Sequence, residues 1–258
     1  MANPLQASHE NVARAKRKFT DLKGAINRHL QGNPYSLRVE RDSSLTHIIA
    51  CREKDIDIDT SFDVVDIVLR LRAALDKAVV ALVSANQRGT SGVGFPFGGI
   101  DRNTGQPNEF PDLRMTGKDG LEKKLSPESW LFLCSQRPYP GGNDILWAIN
   151  EIANTDKHRE GLVTVSPNLS HGFKIGTGFI DVLKLNPAEF QHLLRDEERE
   201  TVLLSVGQEA SQADMQHSIS ISVVFGNGFG VDGRNVLATL NEQIRVTEHI
   251  LKEISSLL

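Results

Sequence analysis

A chain of 258 residues with 29 Lys and Arg against 33 Asp and Glu carries a formal net charge of −4. It is long enough for one large domain or two small ones, and its acidity argues against general coating of DNA while leaving a local basic patch open. The two cysteines, Cys51 and Cys134, have no C-x-x-C spacing, which excludes a zinc ribbon or a disulfide scaffold and suits a reducing cytoplasm.

The amino terminus lacks the apolar core of a signal peptide. No run approaches the length needed to span a bilayer, so no membrane role is expected. Val12, Ala15, Phe19, Leu22, Ile26 and Leu30 follow a three-four spacing, which predicts an amphipathic helix over 8–30 with Ser8 as its cap. Arg14, Lys16, Arg17, Lys18 and Lys23 decorate the rest of it, either as a phosphate-facing surface or as a solvated helix face. Gly32-Asn33-Pro34 ends it.

Tyr35, Leu37 and Val39 alternate, and 46–51 is β-rich. The two read as strands joined across Asp42-Ser43-Ser44. Asp55-Ile56-Asp57-Ile58-Asp59 also alternates and reads as a third strand or an edge. It lacks the glycine and distant glutamate of a calcium loop.

The next helix, over 61–87, is the one the chain is organised around. Its segment IVLRLRAALDKAVVAL is apolar nearly all round, as in helices buried on several sides. At 100° per residue, Asp63, Asp66, Arg70 and Lys77 share one stripe. Arg72 and Asp76, four apart, share another. Residues 88–118 follow as a long, aperiodic, glycine- and proline-rich loop, of a kind that is usually functional or mobile. Its glycines do not form a P-loop, because no Gly-Lys-Ser/Thr follows.

Residues 126–136 read as a short helix capped by Ser126 with Pro127 in its first turn. Arg137-Pro138-Tyr139-Pro140-Gly141-Gly142 breaks it. Asn143 then caps a helix over 144–159. Continuing its Ile145–Ile149–Ile152 stripe by four lands on Asp156, which is therefore expected to face the core and reach Arg72 or Lys77. Asn150, Asn154 and His158 form an adjacent polar stripe.

From Leu162 the pattern turns to β, with strands over 162–166, 173–185 in one or two pieces, 201–207 and 217–225. Asn186-Pro187 starts a short helix through Leu194. The last helix, over 234–258, repeats Leu237, Leu240, Ile244, Thr247, Leu251, Ile254 and Leu258 at heptad spacing. It suits another long helix or a second copy of the chain, that is, a homo-oligomer. The expected architecture is a single α+β domain over 1–258: a helical core around one buried central helix, an antiparallel sheet largely from the second half, and long helices at both ends.

The chain resembles a widespread group of uncharacterised bacterial proteins. Their usual marks are a helix reading L-R-x-A-L-D-H, a downstream F-P, a Q-P-Y-like turn and a helix ending N-x-x-D-K-H-R. Here these read LRAALDK (71–77), Phe95-Pro96, Gln136-Arg137-Pro138-Tyr139 and NTDKHR (154–159), a resemblance covering roughly residues 35–165. It marks positions rather than an activity. R-x-x-x-x-H on a helix is similar to the signature of HEPN-superfamily ribonucleases, with Lys77 here in the histidine position.

Two functions follow. In the first, the chain is a binding or scaffold protein for an unknown protein partner, with Arg72, Asp76 and Asp156 as a buried ion-pair network between two core helices. In the alternative it is a HEPN-like, metal-independent ribonuclease, or a degenerate relative, acting on RNA. Its candidate catalytic residues are Arg72, Asp76, Lys77, Asp156, His158 and Arg159. His158 is then the base, because its unperturbed pKa lies near neutrality; Arg72 or Arg159 holds phosphate. Lys77 stabilises charge or donates a proton. A hydrolytic metal site is a variant, with Asp76, Asp156 and His158 as ligands, a legitimate but unspecific set; no metal is assigned and no cofactor is expected.

Overall fold

The computed structural model describes residues 3–42, 45–57, 59–86, 89–90, 92–99, 108, 110–111, 113–117, 119–154, 162–175, 178–184, 200–207, 215–226 and 230–258. The architecture is α+β, with long helices at both ends. α1 (Gln6–Gln31), α2 (Asp59–Ala85), α5 (Asp144–Asn154) and α6 (Val236–Leu257) form the helical core. Between α2 and α5 lie the short α3 (Leu113–Thr116), a 3-10 turn (Leu121–Lys124) and α4 (Pro127–Ser135).

α2 packs against α1, α5 and α6. Its buried residues, from Val64 through Leu71 and Leu75 to Val83, lie on most sides of the helix, as its apolar sequence requires. The stripe of Asp63, Asp66 and Arg70 is an ion-paired seam. Lys18 of α1 reaches Asp63 at 3.0 Å and Asp66 at 3.2 Å, and Arg70 meets Asp66 at 3.2 Å. Lys18 is held above its ordinary pKa chiefly by its hydrogen bonds to Asp63 and then Asp66.

α1 begins earlier than its expected cap. Ser8 lies inside the helix and is buried, because Leu5 is itself a core residue, and Asn3 Oδ1 accepts the Leu5 N–H at 2.9 Å. Ser126 and Asn143 do cap α4 and α5, accepting from Ser129 N at 3.1 Å and Leu146 N at 3.1 Å. The heptad stripe of α6 is buried at Leu240, Ile244, Thr247, Leu251 and Ile254. It packs on α1, α2 and α5 of the same chain, so the repeat reflects intramolecular packing.

The strands form two three-stranded antiparallel sheets rather than one. β1 (Tyr35–Arg41) and β2 (Leu45–Arg52) make the expected hairpin, and β5 (Glu200–Gly207) joins β2 in the order β1-β2-β5. β3 (Val163–Ile175), β4 (Gly178–Lys184) and β6 (Met215–Phe225) stand in the order β4-β3-β6.

No strand forms over 53–57. Asp57 instead accepts the Asp59 N–H at 3.0 Å and opens α2, so the alternating aspartates are helix-start chemistry. β3 is continuous through Pro167, where two strands were expected. β4 pairs only with Ser170–Ile175, so among the described residues one side of β3 has no neighbour at Pro167, which a missing N–H tolerates. The expected helix over 187–194 lies outside the described residues.

The inner end of the β3–β6 pair enters the core through Leu162, Val163, Val223 and Phe225. Between β6 and α6, Phe225 N donates to Arg234 O at 3.0 Å and Gly233 N to Phe225 O at 2.9 Å. Gly230, at φ +72, lies so close to the Trp147 ring of α5 that a Cβ would stand 2.2 Å from Cζ3.

Candidate functional site

The Arg72–Asp76 stripe of α2 faces α5 and the loop 93–99. Arg72 and Asp76 are one helical turn apart, and their side chains meet with Nε 3.9 Å from Oδ2, at the outer limit of an ion pair. Both are half-buried, 30% and 37% exposed, so this network is partly open to water rather than sealed in the core.

Each group has a further partner. Asp76 Oδ1 accepts the main-chain N–H of Phe95 at 2.8 Å. A Cβ on Gly94 would come 3.0 Å from that same oxygen, so a glycine there lets the loop approach α2 closely. Burial raises the Asp76 pKa above its ordinary 3.8, opposed by the Phe95 N–H and then by Arg72. Arg72 Nη1 donates to Asn154 Oδ1 at the end of α5. Its guanidinium stands 5.9 Å from the centroid of Phe97, within cation–π range. Phe95 and Phe97 are buried, with ring centroids 4.9 Å apart.

The turn after α4 continues this surface. Gly98 N donates to Pro138 O at 2.9 Å. A Cβ on Gly98 would stand 2.6 Å from the Tyr139 Cβ, and the Tyr139 and Phe110 ring centroids are 4.9 Å apart. The segments that carry the F-P and Gln136–Tyr139 motifs thus sit side by side, joined at Gly98.

Of the candidates read from the sequence, Arg72 and Asp76 come together. Lys77 does not join them: it is exposed and stands about 140° round the helix from Arg72 at 100° per residue. Asp156, His158 and Arg159, with the expected reach of Asp156 to Arg72 or Lys77, lie outside the described residues. The described partner of Arg72 on α5 is Asn154, which the polar stripe of that helix had singled out without a role. The Phe95 N–H and the Phe97 ring were missed. A main-chain donor leaves no mark in residue type, and the only signal was Gly94 before the F-P pair.

Among the described residues no group of three His, Cys, Asp or Glu side chains is placed to share a metal ion. Cys51 and Cys134 are free thiols; burial, with a smaller contribution from Glu122, raises the Cys134 thiol. No described helix is long and apolar enough to cross a membrane. Set against protein-family models, curated proteins and solved structures, the chain matches none of them.

Proposed function

We propose that the chain is a non-catalytic binding or scaffold protein of the bacterial group it resembles, working in the cytoplasm. In it, Arg72, Asp76 and Asn154 lock α2, α5 and the loop 93–99 into one presenting surface. The observation that carries this reading is that both polar groups of the stripe are engaged within the chain: Asp76 by the Phe95 N–H, and Arg72 by Asn154 and Phe97. Groups held this way brace the two helices and the loop against one another.

The geometry gives less support to a HEPN-like ribonuclease. That reading places a histidine where this chain has Lys77, and Lys77 is exposed and joins neither Arg72 nor Asp76. A homo-oligomer through α6 is not part of the proposal, because Leu240, Ile244, Thr247, Leu251 and Ile254 of its heptad stripe are buried by the chain's own helices.

The test is incubation of the purified chain with single-stranded and hairpin RNA, in EDTA and in Mg²⁺ or Mn²⁺. No cleavage is expected under any condition. Cleavage that disappears in Asp76→Ala or His158→Ala would replace the scaffold reading with the nuclease.

A further inference from the structure

The end of α1 holds a side chain that the scaffold reading does not use. His29 lies in the last turn, and its Nε2 is buried with no hydrogen-bond partner among the described residues. The helix ends at Gln31. Gly32 N donates to Arg28 O at 3.2 Å and to His29 O at 3.1 Å. Asn33 then turns the chain through a left-handed φ of +47, which asparagine tolerates better than most residues. The turn is fastened from outside. Pro34 O accepts from Glu53 N at 2.9 Å and from Lys54 N at 3.3 Å. Lys54 Nζ donates to Gly32 O at 3.4 Å. The segment that runs from β2 towards α2 thus closes over the end of α1.

This setting suits a neutral ring. An imidazolium carries an N–H on both nitrogens, and a charged donor at Nε2 would stand desolvated and without an acceptor. Among the described residues, the charged groups acting on the ring both come from the closing segment: Lys54, which opposes a proton, and Asp55, which favours one. Asp55 is already paired with Arg52 at 3.1 Å. The helices α2 and α6, which also pack on α1, contribute none. A helix C-terminus favours a cation, yet burial, and then Lys54, hold the His29 pKa below its ordinary 6.5.

We propose that His29, Lys54 and the turn Gly32–Pro34 form a proton-operated clasp between the end of α1 and the segment leading into α2. The clasp is closed while the imidazole is neutral. A proton on His29 sets a second cation near Lys54 and leaves the Nε2–H without an acceptor. The ring then moves towards water, and the contacts to Gly32 O and Pro34 O loosen. The opened chain binds this proton more tightly than the closed one. Stability from this group is therefore fully present above 6.5 and is lost as pH falls through the lowered native value. Histidine is the side chain whose charge ordinarily changes in this range. The clasp does not depend on the role of Arg72 and Asp76.

The test is hydrogen exchange of the full chain by NMR. Protection of the Glu53 and Lys54 amides, corrected for the intrinsic pH dependence of exchange, is followed while the His29 ring is titrated. His29 should titrate below 6.5. Protection of both amides should fall several-fold as it does, while amides at the centre of α2 hold theirs. His29→Gln, which stays neutral, should keep the two amides protected across the same range. Lys54→Met leaves the ring in place and removes the opposing cation, so it should move the His29 titration up towards 6.5; it carries the test if His29→Gln fails to fold. A His29 titration at or above 6.5 in the natural chain would overturn the proposal. So would amides that lose no protection as His29 titrates, the same loss in His29→Gln, or an unmoved titration in Lys54→Met.

Discussion

The Asp76 carboxylate and the Phe95 main-chain N–H stand 2.8 Å apart, although the residues are 19 positions apart in the chain. This bond fastens the loop 93–99 to the central helix. It involves a charged acceptor, and such bonds contribute about 1.5–3 kcal/mol. In Asp76→Ala the Phe95 amide is left without its acceptor. Its hydrogen exchange should accelerate about tenfold or more, since 1.4 kcal/mol is a factor of ten, while amides at the centre of α2 change less. Equal acceleration throughout the molecule would show that the bond has no local role.

Acid should reveal the burial of Asp76. The native carboxyl titrates above its ordinary 3.8 because burial disfavours the ion. The folded chain therefore binds this proton more tightly than the unfolded chain. Stability from this group is fully present below about pH 4 and is lost as pH rises through the raised native value. Asp76→Asn has no such titration, so the stability of the natural chain relative to Asp76→Asn should fall as pH rises above about 4, the ordinary carboxyl value, through the raised native value. Urea midpoints of both proteins across that range provide the check. A difference that grows with pH would mean that attraction to Arg72 outweighs burial.

Gly230→Ala should be strongly destabilising. The added Cβ would meet Trp147 Cζ3 at 2.2 Å, at a backbone angle of φ +72. Overpacking and left-handed strain act together there, for a loss of about 2–3 kcal/mol, read from urea unfolding followed by tryptophan fluorescence. A change within about 0.5 kcal/mol would place the α5–α6 corner in a different arrangement.

The helices were legible because their apolar residues repeat at helical spacing over long windows, and Ser126 and Asn143 stand where a cap belongs. The errors have local causes. Ser8 looked like a cap, but Leu5 is a core residue one turn-end earlier. Asp57 and Asp59 alternate as strand residues do, yet they open a helix. The strand expected over 162–166 runs on through Pro167, which sits where β3 has no described neighbour on one side. The pairing of β2 with β5 left no trace, since it joins Leu45–Arg52 to Glu200–Gly207 and no local pattern encodes so distant a partner. At the site, Arg72 and Asp76 were legible from their four-residue spacing, but their main-chain and aromatic partners were not. Lys77, which motif resemblance grouped with Arg72, is exposed and takes no part in the Arg72–Asp76 contacts.

The central claim is that Arg72 and Asp76 hold the fold together. A double-mutant cycle in urea, with Arg72→Ala, Asp76→Ala and the double variant, tests it most directly. Each single change should destabilise the protein, and the pair should be non-additive by about 0.5–3 kcal/mol, as for residues in one hydrogen-bonded network. Single variants that are neutral or stabilising, with purely additive effects, would contradict the account, because residues kept for chemistry commonly cost stability rather than supply it.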